Sequence, residues 1–363
     1  MSNNQKINVT KTFLPPQEEY QSILKLAWDN AWLTNRGVLV KELEDKLVDF
    51  LGVKFLTLTT NGTLPIQIAI KALELKGEII TTPFSYVATT SAIIWENCKP
   101  VFVDIDPEYW TIDETKIEEA ITDRTSAILA THVFGNPCNV EVIEAIAKKH
   151  NLKVIYDAAH CFGVTYKGQS LFNYGDVSTC SFHSTKIFHT GEGGCWITKN
   201  DELQHRLYYH HNFGHNGPEA FHGLGINAKM SEMQAALGLT LLNYFDEILD
   251  GRKRVVNIYE SLLRDSKLTL LRIRRGTEWN YHYFPVVFET VKDLLRVESK
   301  LQDSNIYPRR YFYPSLNQIK ELVNYVQMPN SESISSRILC LPLHSNLSEI
   351  EIKKVVYCIK DIL

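Results

Sequence analysis

No stretch of this chain stays apolar for the length that crosses a membrane, and its first residues, MSNNQK, are polar where a secretory leader would turn hydrophobic. Both absences predict a chain without a membrane partner that works in the cytoplasm. Nor is there a basic stripe interleaved with aromatics, and the formal charge is −4 from 38 basic and 42 acidic residues. Nucleic acid is therefore not an expected partner. Cysteine pairing is missing too: Cys98, Cys138, Cys161, Cys180, Cys195, Cys340 and Cys358 are odd in number and scattered, with no C-x-x-C. They read as reduced, packed thiols of a reducing compartment. His183, His189, His210 and His211 lie near one another in sequence, but they form no tetrahedral set with cysteine, so no metal is expected. Repeats and low-complexity segments are absent. What is present is 363 residues, enough for a large core and about two domains.

From residue 55 to about 200, short apolar runs alternate with amphipathic segments. FLTLTT, EIITTP, VFVDI, AILATHVF, KVIYD, VSTCSF and GCWIT are seven strand candidates, and VEVIEAIAKKHN shows a clear helical period. This alternation predicts an α/β fold: a mostly parallel seven-stranded sheet with helices on both faces and functional residues beyond the strand C-termini. From Ser231 one long helical stretch is expected to run to about Asp265, opened by a capping box of Ser231 and Gln234. It would connect a large domain (1–240) to a smaller C-terminal α+β domain (241–363). The latter holds a strand in HYFPVVF and helices at 291–303 and 348–363, the last opened by Ser348 and Glu351.

The segment from Val154 to Thr198 carries the chemistry. KVIYD delivers Asp157 into DAAH, and SFHSTK delivers Lys186 ahead of the turn GEGG. A buried carboxylate and a lysine able to bond an aldehyde are what pyridoxal 5'-phosphate (PLP) needs from a protein. The carboxylate favours the protonated pyridine nitrogen, and a lysine of depressed pKa can leave, return and carry a proton. Taken singly, Asp157 could be an N-cap and Lys186 a solvated charge. Their flanks favour the cofactor reading, because VSTCSF is apolar and Gly191, Gly193 and Gly194 allow close backbone approach. A phosphate site is also readable: a strand, the turn Asn61-Gly62-Thr63, then a helix with Pro65 in its first turn. Gly62 and Thr63 N–H groups would point at an anion there, with the Ser181 hydroxyl as a further donor, although Asn-Gly is also an ordinary turn pair.

These residues, with WLTNRG (32–37), PFSYVATTSAI (83–93), VFVDID (101–106), HVFGNPCNVEVIEAIAKKHNLKVIYDAAHCFG (132–163), GLGINAKMSEMQAALGL (223–239) and YFYP (311–314), resemble the DegT-type nucleotide-sugar aminotransferases of PLP fold type I. The resemblance implies that Tyr86 stacks on the cofactor ring, a position that would otherwise read as a core aromatic. It further implies that Ala159 leaves room beneath the ring and that His160 contacts the phenolic oxygen. Gly62, Thr63 and Ser181 would hold the phosphate. Asn227 would be lent to the neighbouring subunit's phosphate site in a homodimer with composite active sites. Relatives carry an aromatic-Arg pair after that Asn, where this chain has Ala228-Lys229.

Relatives with histidine at the position of Lys186 are dehydratases, so the lysine favours transamination. The implied reaction moves an amino group from L-glutamate to a nucleotide-linked keto sugar, Lys186 holding PLP and then carrying the proton. The best-matching branch aminates C4 of dTDP-4-keto-6-deoxyglucose; amination at C3, a UDP-linked substrate and a non-catalytic regulator are the alternatives. Thr34, Asn35 and Glu192 are candidate substrate contacts, ordinary loop polarity being the other reading. Arg309, Tyr311 and Tyr313 could meet the nucleotide diphosphate and base, since Arg pairs with phosphate and Tyr stacks.

Overall fold

A computed structural model describes residues 6–363; Met1–Gln5, most of the polar segment read against a secretory leader, lie outside the described residues. The seven apolar runs all become strands: β1 (Phe55–Thr59), β2 (Glu78–Thr81), β3 (Lys99–Phe102), β4 (Thr125–Thr131), β5 (Lys153–Asp157), β6 (Val177–Ser181) and β7 (Gly194–Thr198). They form one sheet in the order β1-β7-β6-β5-β4-β2-β3, parallel except for β7, which runs antiparallel to both neighbours.

Strand alternation sends successive side chains to opposite faces, and two separate apolar clusters result. Ile80, Ile128, Ala130, Val154 and Tyr156 pack with helices α2 (Val38–Leu51), α5 (Val140–His150) and α7 (Glu232–Leu242), while α1 (Gln17–Asp29) packs against α7. Ile79, Ala127, Leu129, Ile155 and Trp196 pack on the other face with α3 (Leu64–Ala72), α4 (Val87–Trp95) and α6 (Asp201–His211). Because both faces are covered, the strands read as continuous apolar runs, and this is why they were visible in the sequence.

A third cluster is built from α8 (Phe245–Leu263), α9 (Val291–Asp303), α11 (Glu349–Lys360) and a small antiparallel sheet in which Phe284–Val287 is flanked by Thr269–Leu270 and Ile338–Leu341. The short helix α10 (Pro329–Arg337) leads into the last of these strands. Helix α8 enters two clusters, with Phe245 and Ile248 in the first and Val255, Val256, Tyr259 and Leu263 in the third.

Both capping boxes form, at Ser231 with Gln234 and at Ser348 with Glu351. The single helix expected from Ser231 to about Asp265 is instead two helices, α7 and α8, with a break at Asn243 and Tyr244. Tyr244 leaves the helical region (φ −106°, ψ 4°). Its ring packs on Phe13 at 5.5 Å, and its hydroxyl donates to Glu19 Oε1 at 2.6 Å. All seven cysteines are unpaired and buried. Among the described residues no helix is long and apolar enough to cross a membrane, and no group of three or more His, Cys, Asp or Glu is arranged to hold a metal ion.

Candidate active site

Asp157 ends β5 and Ser181 ends β6, so both face outward from the C-terminal edge of adjacent parallel strands. Lys186 follows on the connection from β6 to β7. That connection is held at its base by Phe182 N–H to Gly193 O (2.8 Å) and Thr190 N–H to Phe182 O (2.9 Å), and farther out by Ser184 N–H to Gly191 O (2.7 Å). These residues open onto a cavity of about 350 Å³ walled also by Asn61, Gly62, Thr63, Tyr86, Ala159, His160, Glu192, Arg309 and Tyr311. Segments far apart in sequence thus converge because a parallel sheet gathers its strand C-termini along one edge.

Asp157 is 6 % exposed. Burial pushes its carboxyl above the usual carboxylate value, while the Thr89 hydroxyl, the Ala159 N–H and the charge of Lys186 act in the opposite direction. Thr89 Oγ1 donates to Asp157 Oδ2 at 2.6 Å and Ala159 N–H to Oδ1 at 3.1 Å. Thr131 donates to Ser85 (3.0 Å) and Ser85 lies 2.7 Å from Thr89, so a one-way hydroxyl chain feeds the carboxylate. Burial lowers Lys186 from 10.5 to about 8, with Asp157 the chief opposing influence. His160 accepts the Phe134 N–H at Nδ1 (3.0 Å), which leaves Nε2 as the protonated nitrogen of the neutral ring. Phe134 reaches that donor position from a left-handed backbone, φ 56°.

The turn at 61–63 lies against Ser181: a Cβ added to Gly62 would meet Ser181 Cβ at 2.6 Å, so only glycine allows this approach. Thr63 N–H and Leu64 N–H both donate to Asn61 Oδ1 at 2.9 Å. The Asn61 side chain therefore caps the start of α3 and already takes the Thr63 N–H expected to face an anion, which leaves the Gly62 N–H and the Thr63 and Ser181 hydroxyls as the donors at this end of the cavity. Tyr86, which unaided reads as core, is 60 % exposed and forms cavity wall. It stands at the N-cap of α4, where no apolar layer covers it. Glu192 Oε1 lies 3.7 Å from His183 Nε2.

Arg309 and Tyr311 reach the cavity. Tyr313 is outside the wall and packs under the Arg310 guanidinium at 3.6 Å. Thr34 and Asn35 are exposed on the turn before α2, away from this chain's cavity, and Asn227 is likewise exposed and outside it. Several residues of the site carry no local sequence signal: the wall residues Ser85 and Thr131 and the buried Thr89 of the hydroxyl chain, and Tyr283 on the wall, whose ring centroid lies 5.9 Å from Lys186 Nζ. Only the tertiary fold brings them here.

These features fit PLP. A desolvated carboxylate on the cavity wall suits a cationic ring nitrogen, the Lys186 amine has a lowered pKa, and the Gly62–Ser181 approach leaves a cradle that any larger side chain would fill.

Comparison with known proteins gives the same answer. Residues 16–360 match the DegT/DnrJ/EryC1/StrS aminotransferase family. The chain is 42 % identical to a dTDP-4-amino-4,6-dideoxy-D-glucose transaminase of Shigella dysenteriae over 98 % of this chain and 99 % of that protein. It is 38 % identical to a transaminase of the same name from Escherichia coli, covering 97 % and 98 %. Its backbone matches the crystal structure of DesI, determined in the presence of its TDP-sugar product, with a TM-score of 0.94 and 30 % identity over 98 % of this chain and 93 % of the other. With a family match that runs almost end to end and a cavity built for the cofactor, the chain belongs to the DegT/DnrJ/EryC1/StrS family and is a PLP-dependent nucleotide-sugar aminotransferase of fold type I.

Proposed function

We propose that this enzyme transfers the amino group of L-glutamate to C4 of dTDP-4-keto-6-deoxyglucose, giving dTDP-4-amino-4,6-dideoxyglucose, as a cytoplasmic homodimer with composite active sites. The observation that carries the substrate assignment is the pair of relatives, 42 % and 38 % identical over nearly their full lengths, that bear the same transaminase name.

Bound PLP supplies an electron sink for the negative charge that develops at the reacting carbon. The chain's own residues supply the rest. Asp157, with donors on both oxygens, offers a fixed anion to the ring nitrogen. Lys186, with a pKa of about 8, has an appreciable free-base fraction near neutrality, and its Nζ is the group that picks up and returns the proton. His160 offers Nε2–H toward the phenolic oxygen, and Tyr86 offers a ring face. Gly62, Thr63 and Ser181 form the phosphate cradle. Arg309, Tyr311 and Glu192 are substrate contacts, Arg309 being the cavity-wall cation other than Lys186 among the described residues. Since either ketone of a hexose could meet the same amine, the nucleotide end must set which carbon reaches the cofactor.

The homodimer reading is supported by the segment that carries Asn227, which exposes Phe213 (47 %), Phe221 (62 %) and Leu224 (67 %). Apolar exposure of this kind suits a second copy. In that arrangement Asn227, Thr34, Asn35 and Tyr313 would serve the partner's cavity or its rim. A division close to 1–240 and 241–363 is supported by the separate apolar cluster of the C-terminal part, which Ile7 joins from the start of the chain as Ile7–Asn8 pairs with Ile306–Tyr307. The deciding experiment is incubation with glutamate and a panel of dTDP- and UDP-linked keto sugars, with products identified by mass and NMR. Nitrogen at C4 of the dTDP sugar is expected; reaction only with a 3-keto or UDP-linked sugar would overturn the substrate assignment.

A further inference from the structure

Behind the His160 imidazole lies a second one that the reaction scheme does not use. His282 belongs to the run Asn280-Tyr281-His282-Tyr283, which leads into the strand Phe284–Val287. It is 1 % exposed, and neither ring nitrogen has a hydrogen-bond partner among the described residues. Its ring stacks on that of His160, 4.8 Å between centroids and 24° between planes.

The run is strapped from both sides. Asn280 Nδ2 donates to His160 O at 2.8 Å and to Phe162 O at 2.9 Å. The buried Arg252 of α8 donates from Nη1 to Tyr281 O at 3.2 Å and to His282 O at 2.9 Å. Tyr283 meets the His160 ring edge-on at 5.2 Å.

The one hydrogen bond the His160 ring makes among the described residues, at Nδ1, fixes the position of that atom but leaves the ring free to tilt about the bond. A second constraint is needed to aim Nε2. Two other rings run parallel to His160, Phe134 at 6.1 Å and Phe312 at 6.0 Å, but His282 is the nearest. We propose that His282 is a positioning residue for transamination: held through its backbone by Arg252, it sets the plane in which His160 presents Nε2–H to the phenolic oxygen of PLP. This rests on the reading that His160 touches that oxygen.

The titratable and charged groups facing His282 are His160, Lys186 and Arg252; burial first, then these groups, push its pKa well below the ordinary value. The ring therefore stays uncharged over the working range, and any pH effect of changing it must arise at the cofactor. With PLP held, an N–H donated to the phenolic oxygen would favour that oxygen's anionic form and so weaken the attraction it offers to a proton on a neighbouring nitrogen.

The test compares holoenzymes carrying His282→Leu, His282→Phe, His160→Ala and the double variant His160→Ala/His282→Leu, each checked for folding by thermal melting. The readouts are the pH midpoint of the visible colour change and the kcat and KM values. Nitrogen NMR of the His160 ring in cofactor-free protein adds a readout that does not depend on activity. The expected result is that His282→Leu raises the midpoint and lowers kcat roughly tenfold or more, with KM little changed. His282→Phe, which keeps a flat ring, should recover most of both effects, and the double variant should go no further than His160→Ala alone. A folded His282→Leu enzyme with an unchanged midpoint and kcat would overturn the proposal, as would additive effects or a His282→Phe variant no better than His282→Leu. If His160→Ala itself leaves the midpoint unmoved, the His160 contact falls and this inference with it.

Discussion

Lys186 offers a quantitative test of the site through the pH dependence of cofactor capture. Only the free amine attacks the PLP aldehyde. With a pKa of about 8 in place of 10.5, roughly a quarter of the chains carry a free amine at pH 7.5, against about one in a thousand for an ordinary lysine. The capture rate of cofactor-free enzyme at pH 7.5 should therefore exceed that of a solvent-exposed lysine by about two hundredfold from ionisation alone. It should rise between pH 6 and 9 and level off above. Because the Asp157 charge is what holds this pKa up against burial, Asp157→Asn should move the midpoint downward. The assay is stopped-flow visible absorbance at excess PLP across that pH range. A midpoint near 10, or an upward move in Asp157→Asn, would refute the burial argument and the pairing of these two residues.

Thr89→Val removes the 2.6 Å donor to Asp157, a charge-assisted bond worth about 1.5–3 kcal/mol; PLP affinity measured by fluorescence quenching should fall by about tenfold, with a larger loss at lower pH as the carboxylate protonates more readily. Gly62→Ala places a Cβ 2.6 Å from Ser181 Cβ, and the strain of about 1–3 kcal/mol should appear as loss of PLP on dialysis while the far-ultraviolet circular dichroism stays native. Mixing inactive Lys186→Ala with an impaired Asn227→Ala protein should restore activity, since in a mixed dimer one site carries neither defect; an enzyme fully active as a monomer would contradict composite sites.

The sheet and the convergence of Asp157 and Lys186 on one cavity were legible because each is written locally. Strands buried on both faces leave short apolar runs, and Asp157 and Lys186 sit at the ends of such runs with Gly-rich turns nearby. Tyr86 was ambiguous for the opposite reason: an aromatic that opens a helix looks the same whether its other side meets core or cavity. The break between α7 and α8 has neither Gly nor Pro to mark it, since contacts with Phe13 and Glu19 from the start of the chain impose it. Thr89, Tyr283 and His282 were invisible because their partners lie 68, 97 and 122 positions away, at Asp157, Lys186 and His160 respectively, and no periodicity encodes such pairings.

The antiparallel placement of β7 beside β6 has a kinetic consequence. The connection that carries Lys186 leaves the sheet and returns to the neighbouring strand, with its base laced shut by hydrogen bonds between residues 182 and 193. If Nζ is the proton carrier proposed above, the backbone beneath it need not move for that task, and the displacement would fall to the four methylenes of the side chain. Such rotations take picoseconds to nanoseconds. Turnover on the millisecond scale would then be governed by the entry of a bulky nucleotide sugar and the departure of its amine, so rate gains in this enzyme should come from reshaping the cavity mouth around Arg309 and Tyr311 rather than from loosening the loop that bears the lysine.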